Sequence, residues 1–320
     1  MPARIIGTGS ALPALLVSNR ELEKIVDTTD EWIRSRTGIE SRHIAVEETT
    51  TSMAIEAAKK ALQDAKASPE ELDLIIVGTI SPDHYFPSTA CEIQNALGAV
   101  NATAFDISAA CAGFLFGLGI VDAYMKADTV RTALVVGAET LSKMMDWNDR
   151  STCVLFGDGA GAAVVRSDES GIMSMVQGSD GARGNALTCE GRRVNNPYKK
   201  NDTSLDYTKM NGQEVYKFAV KTVPKSIEEA LLKADVKADD VKYFLLHQAN
   251  LRIIEAVAKR LGQSIEKFPT NLQECGNISA GSVPVLLDFV NREGMLQKGD
   301  TIVLAGFGAG LTWGATVLIW

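Results

Sequence analysis

Short apolar runs alternate along this chain with stretches in which apolar residues fall three or four positions apart, the patterns of buried strands and amphipathic helices. Residues 58–78, AKKALQDAKASPEELDLIIVG, read as helix, polar turn and strand. Ala61, Leu62 and Ala65 hold helical spacing, and Leu74 to Val77 form a continuous apolar run of the kind found inside parallel sheets. Residues 227–247, IEEALLKADVKADDVKYFLLH, repeat that pattern at an offset of 169 positions, with Ala230, Leu231 and Ala234 in the helix and Tyr243 to Leu246 in the strand. Asp106-Ile107-Ser108-Ala109-Ala110-Cys111 matches Asn277-Ile278-Ser279-Ala280-Gly281-Ser282 at an offset of 171, which sets Cys111 opposite Ser282. Thr132–Gly137 then pairs with Thr301–Gly306 at 169, and Gly161–Val165 with Gly314–Leu318 at 153. Four successive matches indicate an internal duplication.

Strands alternating with helices in two similar halves predict an α/β architecture with buried sheets. Ligands in such folds gather at the carboxyl ends of strands and between the halves. Cys111 follows the strand ending near Ile107, Asn277 lies in the region matched to it, and His247 ends the strand Tyr243–Leu246; all three belong at the seam.

Composition narrows the functional classes. The 320 residues hold 32 Lys and Arg against 40 Asp and Glu, a net charge of −8, so no broad basic surface is available for nucleic acid. An anionic partner must meet a local patch. Apolar runs are broken by Gly and charged residues well short of a membrane span, and Met1-Pro2-Ala3-Arg4-Ile5-Ile6 carries no long apolar leader segment. A globular cytoplasmic protein is expected. Five cysteines at 91, 111, 153, 189 and 275 form no C-x-x-C pair, which suits a reducing compartment without disulfides or a zinc site.

Cys111 stands apart among them, at the corner between an apolar strand and the long helix beginning at Ala112-Gly113-Phe114. Such a corner exposes a side chain, and unpaired N–H groups at a helix start favour thiolate over thiol. Cys91, on an apolar helix stripe, and Cys153, in a predicted strand Thr152–Phe156, read as core residues. Of the three histidines, His43 and His84 fall in polar segments expected to face solvent or a loop, whereas His247 ends a buried strand and precedes Gln248-Ala249-Asn250, where Asn250 is placed to cap or flank the next helix. Gly157-Asp158-Gly159-Ala160-Gly161 leads into the strand Ala162–Val165 rather than into a helix, which argues against a phosphate loop.

With these residues in place, the chain resembles the β-ketoacyl-[acyl-carrier-protein] synthase III family of the thiolase superfamily, the initiating condensing enzymes of type II fatty-acid synthesis. The resemblance rests on Ile6-Gly7-Thr8-Gly9, Asp30-Glu31-Trp32-Ile33, Arg36-Thr37-Gly38-Ile39, Ala109-Ala110-Cys111-Ala112-Gly113-Phe114, Phe156-Gly157-Asp158-Gly159-Ala160-Gly161-Ala162, His247-Gln248-Ala249-Asn250-Leu251-Arg252, Gly276-Asn277 and Gly306-Phe307-Gly308-Ala309-Gly310, and it covers essentially the whole chain. It implies a thiolase-like fold of two pseudo-symmetric βαβαβ-type halves in a layered α-β-α-β-α sandwich, residues 1–170 carrying the Cys and residues 171–320 the His and Asn.

The resemblance also implies roles. Cys111 takes the acyl group from an acyl-CoA, and His247 and Asn277 stabilise the carbanion formed when malonyl-acyl-carrier protein loses carbon dioxide. The backbone N–H groups of Cys111 and Ala309 form the oxyanion hole. Ala309 replaces the middle residue of a triple glycine found in family variants, so the backbone there must suit Ala. Ile278 stands where Thr is frequent. Trp32, Arg36, Arg150 and Asn250 are implied as coenzyme A contacts, Met210-Asn211-Gly212 as tunnel wall, and Arg252 as carrier-protein docking residue, with Lys259 and Arg260 beyond it. Phe86 is implied to reach across a homodimer interface to the partner's acyl pocket. No cofactor, metal, nucleic acid or membrane is expected, acyl-CoA being a substrate. The same triad would serve a polyketide-type relative. A degradative thiolase would need a further active-site cysteine late in the chain, a non-catalytic acyl-binding partner would lack the nucleophile, and a Cys hydrolase would need an orienting carboxylate for His247, which the sequence does not reveal.

Overall fold

The computed structural model describes residues 1–204 and 206–320. Among the described residues nine strands build the two main sheets. β1 (Ala3–Ala11), β2 (Leu74–Gly78), β3 (Thr103–Ile107), β4 (Thr132–Glu139) and β5 (Gly159–Ser167) form a sheet of order β1-β5-β4-β2-β3. β6 (Ile172–Ser179), β7 (Tyr243–Leu246), β8 (Thr301–Gly308) and β9 (Thr312–Ile319) form a sheet of order β6-β9-β8-β7. The inner pairs run the same way in both: β2 with β4 and β7 with β8 are parallel, β4 with β5 and β8 with β9 antiparallel. The duplicated strands therefore occupy equivalent places. Among the described residues β3 alone lacks a strand counterpart.

Seven main helices complete the layers: α1 (Asp30–Thr37), α2 (Thr50–Ala65), α3 (Thr89–Leu97), α4 (Gly113–Lys126), α5 (Gly212–Ala234), α6 (Leu251–Leu261) and α7 (Ser282–Arg292). Period-two alternation assigns each strand face to a layer. Ile75 and Val77 of β2 pack with Ala57, Ala61 and Leu62 of α2 and Ile93 of α3 on one outer face. Leu74 and Ile76 point the other way, into a central cluster with Leu118 of α4, Leu286 of α7, and Leu245, Ile302 and Leu304 of the second sheet. The opposite face of that sheet, Phe244, Leu246, Val303 and Ala305, packs against Phe218 and Val223 of α5 and Ile254 of α6. The result is α-β-α-β-α, as expected.

The duplication needs one correction. Ala110–Ala112 forms a single 3-10 turn that feeds α4, and Ser279–Gly281 forms the same turn before α7. Ala110 and Ser279 both take φ +46. The equivalent of Cys111 is thus Ala280, not Ser282, and the offset is 169 as in the neighbouring pairs. The tripeptide Ile-Ser-Ala occurs in both halves, and matching its letters slips the true register by two.

Two local expectations also change. Thr152–Phe156 is not a strand. The Asp149 carboxylate accepts the N–H and hydroxyl of Ser151, and the Asp149 carbonyl accepts the N–H groups of Thr152 and Cys153, which winds the segment into turns that still bury Cys153. Cys91 is exposed: the buried stripe of α3 runs through Ala90 and Ile93, and Cys91 lies beside it. His84 is exposed as expected, but His43 is half-buried in a two-stranded sheet, its Nδ1 2.7 Å from the Pro13 carbonyl oxygen. Gly157-Asp158-Gly159 is structural. The buried Asp158 carboxylate accepts from the Ala45 and Ser142 N–H groups and the Ser142 hydroxyl, and the chain runs on into β5.

Candidate active site

A cavity of about 1150 Å³ opens at the carboxyl ends of the strands and brings together residues from both halves. Cys111, His247 and Asn277 line it, with Phe307 and Gly308 of β8 beside them, while Trp32, Arg36, Asn250 and Arg252 lie along the same walls. A second, mostly apolar recess of about 60 Å³ opens on Cys111 and Ser279, walled by Ile80, Leu141, Met144, Phe156 and Leu187, with Ala309 at its edge.

Cys111 owes its place to close packing of two backbones. A Cβ on Gly308 would lie 2.6 Å from the Cys111 nitrogen, so β8 can pass this near only with glycine there. The Thr312 hydroxyl reaches the carbonyl oxygens of Ala109 and Ala309, each at 3.0 Å, and ties the loops that carry the Cys111 and Ala309 amides. Ala309 is compatible with this backbone because the positive φ falls on Gly310, at +132.

Burial works against the thiolate that the corner favours. Cys111 is buried, and burial pushes its thiol up to about 12, with the Ser279 hydroxyl pulling it down and the charge of Glu139 pushing it further up. The α-helix proper begins two residues later, at Gly113, past the 3-10 turn that holds the thiol.

His247 is neutral. It is buried, and burial holds its imidazole down at about 3. Its backbone N–H donates to the Ala305 carbonyl at 2.8 Å, which ties the end of β7 to β8, and its ring meets Phe307 edge-on at 5.6 Å. The neighbouring Gln248 is locked: its amide NH2 donates to the Leu246 carbonyl, and its carbonyl oxygen accepts the N–H groups of Asn271 and Leu272. Asn277 follows Gly276, which takes φ +63, and is fixed on both sides by bonds of its backbone to Leu155 and Gly157. Its side-chain oxygen accepts the Ser279 N–H at 2.8 Å, so its NH2 is the end left for the cavity.

At the outer wall the guanidinium groups of Arg36 and Arg150 lie 4.7 and 5.1 Å from the centre of the Trp32 ring. Arg150 is one step behind the wall, donating to the Asp27 carbonyl. Asn250 caps α6 through its side-chain oxygen and donates from its NH2 to the Arg36 carbonyl, which joins α6 to α1. Arg252 is exposed at the rim, and Lys259 and Arg260 are exposed in the last turn of α6. Met210, Asn211 and Gly212 form cavity wall. Phe86 is outside the cavity, 86% exposed, in the loop before α3. Sequence reasoning missed Phe307, Gln248, Ser279 and the rim cation Lys217. Phe307 could have been found from alternation along β8, which turns it to the same side as Ala305 and opposite Gly306. Among the described residues no cluster of His, Cys, Asp and Glu is arranged to hold a metal, and no helix is long and apolar enough to cross a membrane.

Comparison with known proteins agrees with this geometry. The profile described as 3-oxoacyl-[acyl-carrier-protein (ACP)] synthase III matches residues 105–181, and its C-terminal companion matches residues 231–320. The β-ketoacyl-[acyl-carrier-protein] synthase III of Clostridium acetobutylicum is 49% identical over 99% of this chain and 98% of its own. The chain belongs to the 3-oxoacyl-[acyl-carrier-protein] synthase III family. The crystal structure of the Aquifex aeolicus synthase III superposes with a TM-score of 0.93 at 47% identity, covering 99% of this chain and all of that one. The priming β-ketosynthase of the R1128 polyketide pathway superposes at 0.94 with 38% identity, over 99% of this chain and 96% of that one. Membership of the synthase III family makes this chain an acyltransferase of the condensing type, and its fold is the thiolase fold.

Proposed function

We propose that this synthase III condenses an acyl-CoA primer with malonyl-acyl-carrier protein, releasing coenzyme A and carbon dioxide and leaving a β-ketoacyl chain on the carrier. The observation that carries the reading is one cavity in which a buried thiol, a neutral imidazole and an amide with its oxygen tied back converge from two duplicated halves. The first half, residues 1–170, holds the acyl group, and the second, residues 171–320, prepares the carbanion. Cys111 attacks the thioester carbon and coenzyme A departs. After decarboxylation, negative charge collects on the malonyl thioester oxygen, where the N–H of neutral His247 and the NH2 of Asn277 donate to it. The carbanion attacks the acyl carbon on Cys111, and the N–H groups of Cys111 and Ala309 meet the second oxyanion. The apolar recess receives the acyl chain. No cofactor is required for these steps.

Trp32 with Arg36 and Arg150 offers a flat cationic platform to the nucleotide end of coenzyme A. Asn250 serves this site by fixing α6 against α1. Arg252 at the rim suits the acidic carrier in a chain whose net charge is otherwise −8. The exposed ring of Phe86 supports a homodimer in which it closes the partner's recess. A cytoplasmic site of action fits the free cysteines. The likeness to a polyketide priming enzyme supports a second reading in which the same condensation feeds secondary metabolism.

The test is incubation with a panel of acyl-CoAs, peptide mapping of the adduct by mass spectrometry, and addition of malonyl-carrier protein. Acyl-Cys111 followed by a β-ketoacyl-carrier product is expected. An adduct on another cysteine, or an acyl-Cys111 that yields no product, overturns the reading.

A further inference from the structure

Among the described residues Arg42 is the largest side chain that is fully buried, and none of the steps proposed for the reaction uses it. It lies in the small sheet formed by Leu15–Ser18 and Ser41–Ile44. Its Nη2 donates to the Val154 carbonyl at 2.7 Å and its Nη1 to the Val17 carbonyl at 3.2 Å, while its Nε–H is buried without a partner. Burial lowers the guanidinium to about 10, so it stays charged at neutral pH, and the neighbouring Cys153 thiol, pushed up by burial to about 11, is no counter-ion there. A buried cation held by neutral carbonyls contributes little to stability for the desolvation it costs. What it contributes is direction, since a guanidinium is a rigid fork of donors.

One prong of that fork lands beside Asn277. The Val154 carbonyl precedes Leu155, whose own carbonyl accepts the Asn277 N–H at 2.9 Å, and the Gly157 N–H donates back to the Asn277 carbonyl at 3.0 Å, so that Phe156 and Asn277 pair in a short parallel bridge. The Arg42 stem is packed into this bridge. A Cβ on Gly157 would lie 3.2 Å from the Arg42 Cβ, and one on Gly276 would lie 3.3 Å from it. The backbone on either side of Arg42 is tied to the same two segments: the Glu40 N–H donates to the Gln273 carbonyl and the Asp158 N–H to the His43 carbonyl, each at 2.9 Å. The Cys111 elbow is anchored elsewhere, through Gly308 and the Thr312 hydroxyl.

We propose that Arg42 is a positioning residue for Asn277, an inference that rests on Asn277 donating to the enolate oxygen formed by decarboxylation. By holding the Val154 carbonyl, the guanidinium fixes the peptide that leads into Leu155, and the bridge passes that orientation to the Asn277 backbone. The Ser279 N–H then holds the Asn277 side-chain oxygen at 2.8 Å and leaves the NH2 for the cavity. Asn277 is thus located from two directions, and only one of them belongs to its own turn. Arg42 lines neither the large cavity nor the recess, so it acts on the substrate through Asn277 alone. Its loss weakens the half of the reaction that prepares the carbanion and spares the transfer of the acyl group to Cys111, whose elbow is tied to β8 and β9.

Arg42→Met removes the fork and the charge, whereas Arg42→Lys keeps the charge and a stem that fits between the two glycines but offers no fork for two carbonyls. Each is compared with wild type, with Asn277→Ala and with the double variant Arg42→Lys/Asn277→Ala. The readouts are acylation of Cys111 by acetyl-CoA in rapid-quench mass spectrometry, carbon dioxide release from malonyl-carrier protein by enzyme already acylated, and thermal unfolding. Decarboxylation is expected to fall about tenfold in Arg42→Lys and about a hundredfold in Arg42→Met, with acylation within about threefold of wild type in both. In the Asn277→Ala background, Arg42→Lys should cost less than about a further twofold, because a residue that acts through Asn277 has nothing left to position. Losses that multiply in the double variant, equal loss of acylation, loss that tracks a lowered unfolding temperature, or decarboxylation at the wild-type rate in both single variants each overturn the assignment of Arg42 alone. Should Arg42→Met fail to fold, the non-additivity of Arg42→Lys decides; if neither folds, Arg42 serves the fold only and the proposal is overturned. An Asn277→Ala enzyme that decarboxylates at the wild-type rate overturns the reading of the site and the proposal together.

Discussion

The two elbows of this molecule have nearly the same backbone and opposite chemistry. Each is a 3-10 turn opening a buried helix, and each begins with a non-glycine residue at φ +46, Ala110 in the first half and Ser279 in the second. A positive φ on alanine beside a nucleophile invites a reading as strain stored for catalysis. The second elbow argues otherwise, because it shows the same angle with Ala280 in the place of Cys111. The conformation belongs to the duplicated corner. What differs is the side chain placed on it: the first elbow presents a thiol to the cavity, and the second supplies Asn277 just ahead of the turn and Ser279 at its start.

The largest effect should come from exchanging these roles. Cys111→Ala is expected to reduce condensation by at least about a thousandfold, measured as β-ketoacyl-carrier product, while Cys275→Ala leaves the rate within about twofold. Cys275 is as deeply buried and its thiol is likewise pushed to about 12, so burial and acidity do not separate the two; access to the cavity does. A Cys275→Ala variant that loses the activity would break the comparison.

Next in size is the division of labour between halves. His247→Ala and Asn277→Ala should each slow malonyl decarboxylation about a hundredfold to a thousandfold and leave acylation of Cys111 at least partly intact. Because His247 is held at about 3, it stays neutral from pH 5.5 to 8, and its hydrogen bond should contribute no break to the decarboxylation profile in that range. The same shift fixes the sign of a stability effect. The folded imidazole binds its proton more weakly than the unfolded one, so stability is complete above the ordinary histidine value and declines as pH falls from about 6.5 toward 3. Thermal unfolding of His247→Gln should show a shallower decline over that window. A steeper one would place the imidazolium in the folded state.

Much of this arrangement is legible in the sequence, for physical reasons that vary by element. Strands β2 and β7 are covered on both faces, so they must be continuously apolar, and their duplication is visible as a repeated pattern of helix, turn and apolar run. Cys111 shows through because a strand-to-helix corner is a local pattern. The register of the second elbow does not, because it is fixed by φ and by which residue opens the turn, whereas the shared Ile-Ser-Ala letters point two positions away. Glu139 is hidden for another reason: a carboxylate after an apolar strand looks like a solvent-facing end, and only the converging Thr79, Ile80 and Ser81 donors make its burial tolerable. Asn250 reads as a helix cap from its position after the buried strand, and it is one in the fold.

A smaller effect should separate binding from chemistry. Trp32→Ala or Arg36→Ala is expected to raise the KM for acyl-CoA about tenfold, in line with the loss of a cation–π platform and a charge worth roughly 1–2 kcal/mol, with little change in kcat. Acylation by a truncated thioester that lacks the nucleotide should be unaffected. A comparable loss with the truncated substrate would show that Trp32 and Arg36 shape the elbow and not the outer wall.

The smallest predicted effect is the one that bears most directly on the elbow's geometry. Ala309 stands next to Gly308, whose missing side chain admits the Cys111 backbone, and next to Gly310, which takes the positive φ. Alanine at the middle position therefore carries no conformational strain, and Ala309→Gly should leave acylation within about twofold while lowering stability by about 0.4–1 kcal/mol, because the unfolded chain gains freedom. Gly308→Ala is the contrasting change, since its Cβ would sit 2.6 Å from the Cys111 nitrogen and must displace either β8 or the nucleophile. If both variants behaved alike, the oxyanion amides would be tolerant of backbone movement and the close approach of β8 to Cys111 would be packing without catalytic consequence. A large loss for Gly308→Ala beside a near-silent Ala309→Gly would place the requirement in the gap between the two backbones.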